Sequence, residues 1–295
     1  MGIYSVLFNL FENCRYETVR GLKTAEITDF RYVLEPYHRF MCFDARKLNL
    51  DYIKQEFLWY LCGDKYDVSI RRCAKMWDDL INVDGTINSN YGYHIFNPET
   101  GRDGKSNFDR VVETLKADPS SRRACITILG NSHLNTDTKD YPCTAYLNFL
   151  IRNNQLIMLV RMRSQDAIYG MGNDAPFFSF VQELVLVSLK ADPQFAELIM
   201  GPYSHMADSF HVYEKHFEML EAICDDPVMT ENWHDNCPPM TLETPKTLQD
   251  LKTYLQAGQS LDFFVGRDPF VDWLLTRDKV ESMVYPERLT NGTLQ

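Results

Sequence analysis

Hydrophobic side chains recur along the chain at two different spacings, and each spacing predicts its own kind of element. In residues 2–14 the apolar positions repeat every three to four residues, which is the pattern of an amphipathic helix. Residues 24–44 alternate instead and are rich in aromatic and β-branched side chains, so they predict two strands around a turn at Pro36. The chain therefore begins with a helix that leads into part of a sheet.

The segment DYIKQEFLWYLCGD returns to the helical spacing. Ile53 and Leu61 lie on its apolar face, and Gly63 ends the helix because glycine adopts the left-handed conformation without strain. Glu56 comes three residues after Ile53 and so lies at the edge of this face. A partly desolvated carboxylate is a candidate general acid or base, whereas an ordinary surface glutamate is the alternative interpretation.

A group of strands follows a helix predicted over residues 107–117. The strand segments are rich in apolar and β-branched side chains and cover residues 124–130, 144–152 and 155–163. Asn153-Asn154 joins the last two segments and is a good hairpin turn. The pattern thus predicts two antiparallel neighbours at the centre of a sheet.

Helices dominate the pattern further on. A long apolar helix is predicted from about Ala175 to Lys190, and a second helix from Tyr213 to about Cys224. Thr247-x-x-Asp250 resembles a capping box, which would open a third helix that ends at Gly258. No repeat or low-complexity tract divides the chain, so we expect one domain over residues 1–295.

The C-terminal part differs in composition from the rest. Residues 226–245 are rich in Pro, Asp and Asn, which predicts a long surface loop. Beyond the central helices and strands, the chain would then carry a C-terminal appendage from about residue 226 to residue 295. Nothing in the residues of this appendage indicates its role.

Charge and cysteine content exclude several classes of function. The formal net charge of the 295 residues is −11, which argues against a non-specific grip on nucleic acid. No apolar run is long enough to span a membrane, so we expect a cytoplasmic protein without a membrane partner. The eight cysteines form no C-x-x-C pair, and no histidine cluster has the spacing of a metal site. We therefore expect reduced thiols and no metal.

Cys143 is the cysteine with the most suggestive neighbours. It follows Pro142 and precedes a predicted strand, so its thiol would be held at the mouth of the sheet. Arg123 and Arg163 flank it in the sequence, and cationic neighbours favour the reactive thiolate and also bind phosphate. A buried structural cysteine is the alternative interpretation of Cys143 taken alone.

Four sequence segments in the expected order resemble one family. YPCTAYLNFLIRNNQLIMLVRMRSQDAIYG is similar to the signature of thymidylate synthases and pyrimidine hydroxymethylases, in which a Pro-Cys pair, two strands and Arg-Ser-x-Asp follow one another. QEFLWYLCGD, SRRA and SFHVYEKHF resemble the glutamate helix, the paired arginines and the His-x-Tyr segment of the same family. The resemblance spans roughly residues 20–220 and is closest to the branch of T-even phage deoxycytidylate hydroxymethylases.

The resemblance implies an α+β fold, in which helices flank a large mixed β-sheet and one sheet face forms a homodimer. It also implies a covalent mechanism: the thiolate of Cys143 adds to C6 of a pyrimidine nucleotide. C5 thereby becomes nucleophilic and attacks the methylene of 5,10-methylenetetrahydrofolate, the cosubstrate. Glu56 would manage protons at this site.

The resemblance also assigns binding roles. The nucleotide phosphate would be bound by Arg163 and Ser164, by Arg122 and Arg123 from the second subunit, and by Arg20 or Lys23. The sugar would be held by His211 and Tyr213, for which a packed aromatic pair is the alternative. The folate side would be lined by Trp77, Tyr91, Asp166 and Gly170.

The base-reading position favours cytosine. Counted without gaps from Gly170, Asp174 occupies the place where thymidylate synthases carry an asparagine. A carboxyl that shares one proton complements the amino group and the unprotonated N3 of cytosine, whereas an amide complements uracil. Two alternatives remain: a slip of one residue would make Asn173 the reader, and Asp174 would serve as the N-cap of the following helix.

The expected reaction is therefore the conversion of dCMP to 5-hydroxymethyl-dCMP. Other products of the same chemistry stay open, namely methylation of dCMP, a reaction of CMP, or thymidylate synthesis from dUMP. A catalytically silent nucleotide-binding protein on the same fold is the alternative from a different class.

Overall fold

A seven-stranded mixed sheet is the centre of the fold. The computed structural model describes residues 2–19, 21–228, 237–276, 285–290 and 293–294. The strands of this sheet are β1 (Arg15–Val19), β2 (Leu22–Leu34), β3 (Cys125–Thr127), β4 (Thr144–Arg152), β5 (Gln155–Met162), β6 (Gln165–Asp166) and β7 (Ile199–Tyr213). They lie in the order β1-β2-β7-β5-β4-β3, and β6 also pairs with β7. The β5–β7 and β6–β7 pairs are parallel, and the others are antiparallel.

Helices complete the α+β architecture. The α-helices are α1 (Ile3–Asn13), α2 (Leu50–Cys62), α3 (Tyr91–Phe96), α4 (Asn107–Ala117), α5 (Asn131–Leu134), α6 (Tyr169–Lys190), α7 (Phe217–Asp225), α8 (Thr244–Gln256) and α9 (Pro269–Leu275). Short 3₁₀ helices cover Ser69–Arg72, Lys75–Leu80, Pro98–Thr100, Pro193–Phe195, Glu214–His216 and Asp262–Phe264, and β8 (Leu289–Thr290) pairs with β9 (Thr293–Leu294). Within these described elements, no helix is long and apolar enough to cross a membrane.

The central hairpin is confirmed. Asn153 and Asn154 join β4 to β5 with φ angles of 50° and 57°, as a type I′ turn requires. Along both strands alternate side chains face the helices, and Phe149 and Leu156 on that side are fully buried. The alternation therefore fixes one face of the sheet as the core face.

The prediction for residues 24–44 is half wrong. One strand, β2, ends at Leu34, and its hairpin partner is β1 on its N-terminal side rather than a strand after Pro36. The residues after the turn enter the core without joining the sheet, with Phe40 and Phe43 buried. β1 was missed because all five of its residues are exposed, so it has no alternation to detect.

The helix around Glu56 is confirmed, but its surroundings are not those of a surface helix. α2 ends at Gly63, which has the expected left-handed φ of 62°. Almost every residue of α2 is buried, and Lys54, Gln55 and Glu56 are among them. Glu56 therefore lies inside the protein and not at the margin of an amphipathic face.

The long apolar helix is confirmed but begins six residues before the predicted start. Oδ1 of Asp166 accepts the backbone N–H groups of Ile168, Tyr169 and Gly170, so Asp166 caps the first turn of α6. Asp174 lies inside the helix. The interpretation of Asp174 as the N-cap is therefore wrong.

The later helices differ from their predictions at the N-terminal ends. The helix predicted from Tyr213 begins as α7 after a 3₁₀ turn, because β7 extends to Tyr213. α8 begins before Thr247, whose hydroxyl donates to the carbonyl oxygen of Glu243, so the predicted capping box is wrong. The predicted end at Gly258 is confirmed within two residues.

Candidate active site

Cys143 lies half-buried directly before β4, on a loop that Arg163 holds in place. The backbone N–H of Arg163 donates to the carbonyl oxygen of Cys143 at 2.9 Å. Its guanidinium Nε donates to the carbonyl oxygen of Pro142 at 3.1 Å, and Nη2 donates to that of Tyr141 at 2.8 Å. The guanidinium of Arg163 is thus fixed against the loop that carries Cys143.

Asp140 anchors the other end of the same loop. Its carboxylate, on a side chain only 2% exposed, accepts the backbone N–H of Ser89 at 2.8 Å and the Ser89 hydroxyl. The Asn88 side-chain amide donates to the carbonyl oxygen of Asp140 at 2.9 Å. The loop that carries Cys143 is therefore tied to the segment that leads into α3.

Tyr91, the first residue of α3, connects the cysteine to the acidic residues. Its ring stacks on Tyr60 and Phe178, with ring centroids 5.6 and 5.8 Å apart. Burial raises the pKa of Tyr91 well above its ordinary value, and the nearby Cys143 and Asp174 raise it further. Tyr91 therefore keeps its hydroxyl proton within electrostatic reach of both groups.

Glu56 is the most strongly perturbed carboxyl of this cluster. Burial raises its pKa to about 8, and the Asp174 charge adds to the rise. The Tyr52 hydroxyl donates to Oε1 of Glu56 at 2.8 Å and acts in the opposite direction. At neutral pH Glu56 is thus mostly protonated, as a general acid must be.

Asp174 faces Glu56 from α6. Burial raises the pKa of its carboxyl to about 7, with a further rise from Asp166, while a hydrogen bond from Gln165 lowers it. The Gln165 amide donates to Oδ2 of Asp174 at 3.0 Å, and the Tyr32 hydroxyl donates to the Gln165 carbonyl at 3.0 Å. Both protonation states of Asp174 are therefore accessible near neutral pH.

The raised pKa of Glu56 predicts a pH-dependent stability. Because the folded protein binds the Glu56 proton more tightly than the unfolded chain does, this stabilisation is complete below about pH 4.5 and is lost as pH rises through 8. Glu56→Gln cannot lose this proton, so its free energy of unfolding should not fall in this way. We expect the difference between the variant and wild type to grow in favour of the variant by up to roughly 3 kcal/mol from pH 5 to pH 9. Urea unfolding at both pH values measures the gain, and a constant difference would contradict it.

The residues expected to bind sugar and phosphate lie at the ends of β2, β5 and β7. His211 is buried, its Nδ1 lies 3.2 Å from the Ser209 hydroxyl, and its ring meets Tyr213 edge-on at 5.0 Å. Lys23 extends toward solvent and pairs with Glu214 at 3.2 Å. Ser164 directly follows Arg163 and is half-buried, whereas Arg20 lies outside the described residues.

Arg122 and Arg123 lie apart from this cluster. Both are exposed, and Ala124 separates them from the edge strand β3. Their positions leave them available to a neighbouring molecule.

Comparison with known protein families identifies the family of this chain. A family model described as thymidylate synthase matches residues 10–255, which is most of the chain. The chain belongs to the thymidylate synthase family. The mixed sheet flanked by helices agrees with this assignment.

Two kinds of enzyme within this family are similar in sequence to the chain. The deoxycytidylate 5-hydroxymethyltransferases of Enterobacteria phages T4 and T2 are each 30% identical over 207 residues, which cover 68% of this chain and 80% of each relative. The thymidylate synthase of Fusobacterium nucleatum is 29% identical over 164 residues, 56% of either chain. This thymidylate synthase family enzyme therefore shares one-carbon transfer to nucleotides with two kinds of relative.

The site fits the cosubstrate of the family, methylenetetrahydrofolate. Oδ2 of Asp166 is buried and accepts no hydrogen bond from the residues that the structure describes, while Oδ1 is used by the α6 cap. A pterin carries N–H donors that match such an oxygen. A side chain at Gly170 would come within 3.3 Å of Asp166 and crowd this place.

Metal ligands and cavities bear on what else the protein could bind. Among the described residues no group of three or more His, Cys, Asp and Glu side chains could hold a metal ion. A cavity of about 870 Å³ lies between residues 81–94 and 132–139, and its lining does not include Cys143, Glu56 or Asp174. This cavity is therefore separate from the cluster described above.

Three residues that support the site escaped the sequence analysis. Asp140 holds the Cys143 loop, Gln165 holds Asp174, and Tyr52 holds Glu56. Tyr52 precedes Glu56 by four residues on a helix, a spacing that places both side chains on one face. That spacing was the available signal, whereas the other two contacts depend on tertiary packing.

Proposed function

We propose that this enzyme converts dCMP to 5-hydroxymethyl-dCMP with 5,10-methylenetetrahydrofolate as the one-carbon donor. The position of Asp174 supports this proposal most. Its carboxyl accepts a hydrogen bond from Gln165 and lies within electrostatic reach of Glu56 and Tyr91. Asn173, the alternative reader, has no described contact with this cluster. The similarity to the phage deoxycytidylate 5-hydroxymethyltransferases points in the same direction.

In this proposal Cys143 is the nucleophile. The thiolate forms a bond to C6, and the electron pair of the C5–C6 double bond moves to C5, which becomes an enamine-like carbon. Arg163 holds the carbonyl groups of Tyr141 and Pro142 and thereby positions the loop that carries the sulfur. The folate would supply the methylene carbon that C5 acquires and would leave as tetrahydrofolate when the bond between that carbon and the folate nitrogen breaks. Water would then supply the hydroxyl group of the product, and Cys143 would leave C6 as the thiolate.

Glu56 moves the protons that this sequence requires. Addition of the thiolate must be balanced by proton donation to the pyrimidine, and loss of the C5 proton must precede release of Cys143. A carboxyl with a pKa of about 8 donates at neutral pH and returns to its acid form readily. Its burial also keeps bulk water from competing for the proton.

Asp174 reads the base. A neutral carboxyl presents one donor and one acceptor, which complement the unprotonated N3 and the amino group of cytosine. Its pKa of about 7 lets it retain the required proton under neutral conditions. A donor and an acceptor that match cytosine would leave uracil with unsatisfied hydrogen-bonding groups in the site. Unsatisfied groups of this kind weaken binding, so the site would select cytosine.

We also propose that the enzyme is a homodimer. On the sheet side opposite the helices, Leu150, Ile157 and Leu159 are half-buried, and Tyr146 is 39% exposed. This apolar surface fits a second copy, and the exposed pair Arg122-Arg123 would then reach the phosphate in the partner's site.

Mixing two inactive variants tests the shared site. Cys143→Ala and a double variant, Arg122→Ala with Arg123→Ala, should each be inactive, and a mixture of the two should regain activity. The gain arises because one site of each mixed dimer has both an intact cysteine and intact arginines. A mixture that stays inactive although sedimentation shows exchanged dimers would contradict the assignment of the arginines.

The reaction itself is tested by mass analysis of products. The enzyme is incubated with 5,10-methylenetetrahydrofolate and, in parallel, with dCMP, CMP or dUMP. We expect 5-hydroxymethyl-dCMP, with dUMP and CMP reacting at least about 100-fold more slowly. A methylated product would mean that the last step is hydride transfer and not the addition of water. A product from dUMP would contradict the role of Asp174 as the reader of cytosine. No product from any of the three nucleotides would favour a catalytically silent nucleotide-binding protein.

A further inference from the structure

Three side chains form a hydrogen-bonded chain that ends on Glu56. The indole Nε1 of Trp77 donates to the Tyr52 hydroxyl oxygen at 3.1 Å, and the Tyr52 hydroxyl donates to Oε1 of Glu56 at 2.8 Å. Trp77 is only 6% exposed and packs on Trp59 with ring centroids 5.1 Å apart. The chain thus runs from the aromatic core to the carboxyl.

The direction of this chain is fixed by chemistry. An indole N–H donates and has no acceptor, so the Tyr52 oxygen must accept from Trp77. The single hydroxyl proton of Tyr52 is then directed to Glu56. Burial and the Glu56 charge raise the pKa of Tyr52 well above its ordinary value, so this proton stays on the tyrosine.

The carboxyl oxygens of Glu56 therefore have different roles. Oε1 accepts the tyrosine proton, whereas the residues described here give Oε2 no hydrogen bond. We propose that Tyr52 and Trp77 are positioning residues that confine the exchangeable proton of Glu56 to Oε2, the oxygen left for the reaction. The inference rests on the proposed role of Glu56 as the acid and base.

This arrangement explains how a buried carboxyl delivers its proton along one path. If the proton could occupy either oxygen, a neutral Glu56 would spend part of its time with the proton aimed at Tyr52. A donor already directed at Oε1 excludes that state. The other charged group that raises the pKa of Glu56 is Asp174 on α6, and Tyr52 is the described hydrogen-bond donor to Oε1.

It also gives Trp77 a role that differs from contact with the folate. Its only donor is engaged by Tyr52. A substitution at Trp77 should therefore act on Glu56 through Tyr52, and not on folate affinity. A role through Tyr52 predicts a change in kcat, whereas contact with the folate predicts a change in the KM for folate.

Tyr52→Phe removes the hydroxyl and keeps the ring. Because the lost hydrogen bond lowers the pKa of Glu56, we expect the titration of Glu56 to move upward by about one pH unit. We also expect kcat to fall about 10-fold, with little change in the KM for dCMP. The titration is followed by the infrared C=O stretch of the protonated carboxyl, identified as the band that Glu56→Gln removes.

Trp77→Phe tests whether the tryptophan acts through the tyrosine. We expect a smaller shift of the Glu56 titration in the same direction, and no further shift when Trp77→Phe is added to Tyr52→Phe. Trp59→Phe is the matched control, since Nε1 of Trp59 donates to the carbonyl oxygen of Asp67 and not to Tyr52. The control should leave the titration in place.

Three outcomes overturn the proposal: an unchanged infrared titration in Tyr52→Phe, additive shifts in the double variant, or a rise in the KM for folate as the main effect of Trp77→Phe. The infrared readout needs no turnover. A titration that shifts as expected in an enzyme that does not convert dCMP would therefore support the proton placement and reject the proposed reaction.

Discussion

Replacing Cys143 by alanine is expected to abolish turnover while nucleotide binding survives. Without a sulfur the C6 adduct cannot form and C5 is never activated, so kcat should fall by at least about 10⁴-fold. The contacts expected for phosphate and sugar are made by other side chains, so the Kd for dCMP should change by less than about threefold. Product formation and calorimetric titration measure the two quantities.

A matched control separates this loss from general damage. Cys125 is exposed on β3, outside the Cys143 loop, and Cys125→Ala should keep both activity and binding. Mass analysis of wild type denatured during turnover should also reveal the nucleotide adduct, which Cys143→Ala lacks. Appreciable activity in Cys143→Ala would remove the nucleophile from the mechanism.

Replacing Asp174 by asparagine is expected to invert the base preference. The carboxyl that shares a proton with cytosine becomes an amide whose donor and acceptor match O4 and N3–H of uracil. We expect the ratio of kcat/KM for dCMP to that for dUMP to fall by about 10²-fold or more. The measurement is a competition between the two nucleotides at fixed folate concentration.

The neighbouring residue supplies the control for this substitution. Asn173 has the same amide and the adjacent position on α6, but it has no described contact with the cluster. Asn173→Ala should leave the ratio within about threefold of wild type. If Asn173→Ala changed the ratio and Asp174→Asn did not, Asn173 would be the reader of the base.

Local signals predicted some elements well. The helix predicted over residues 107–117 is confirmed as α4, and Ser106 and Asp109 form a capping box at its start. β7 was missed, since Gly201 and Pro202 interrupt a strand that is held by neighbours on both sides. Pairing partners of this kind lie far away in the sequence and leave no local signal.

The same distinction applies to the site. The sequence singles out Cys143, Glu56, Asp174 and Tyr91. In the structure Asp174 lies within electrostatic reach of both Glu56 and Tyr91, and Tyr91 lies within reach of Cys143. The sequence placed Glu56 at a helix margin, however, and its burial follows from packing of α2 on all sides. The pKa of about 8 is therefore a property of the fold, which no segment of α2 contains by itself.

The pairing of β2 with β7 constrains how the chain acquires its fold during synthesis. Thr24 faces Tyr213 across these strands, and the Tyr4 hydroxyl on α1 donates to the carbonyl oxygen of Cys224 on α7. At ribosomal rates of about 5–20 residues per second, the N-terminal segments wait roughly 10–40 s for these partners. Until α7 has been synthesised, α1 lacks this partner, so the N-terminal helix can reach its final packing only late in synthesis.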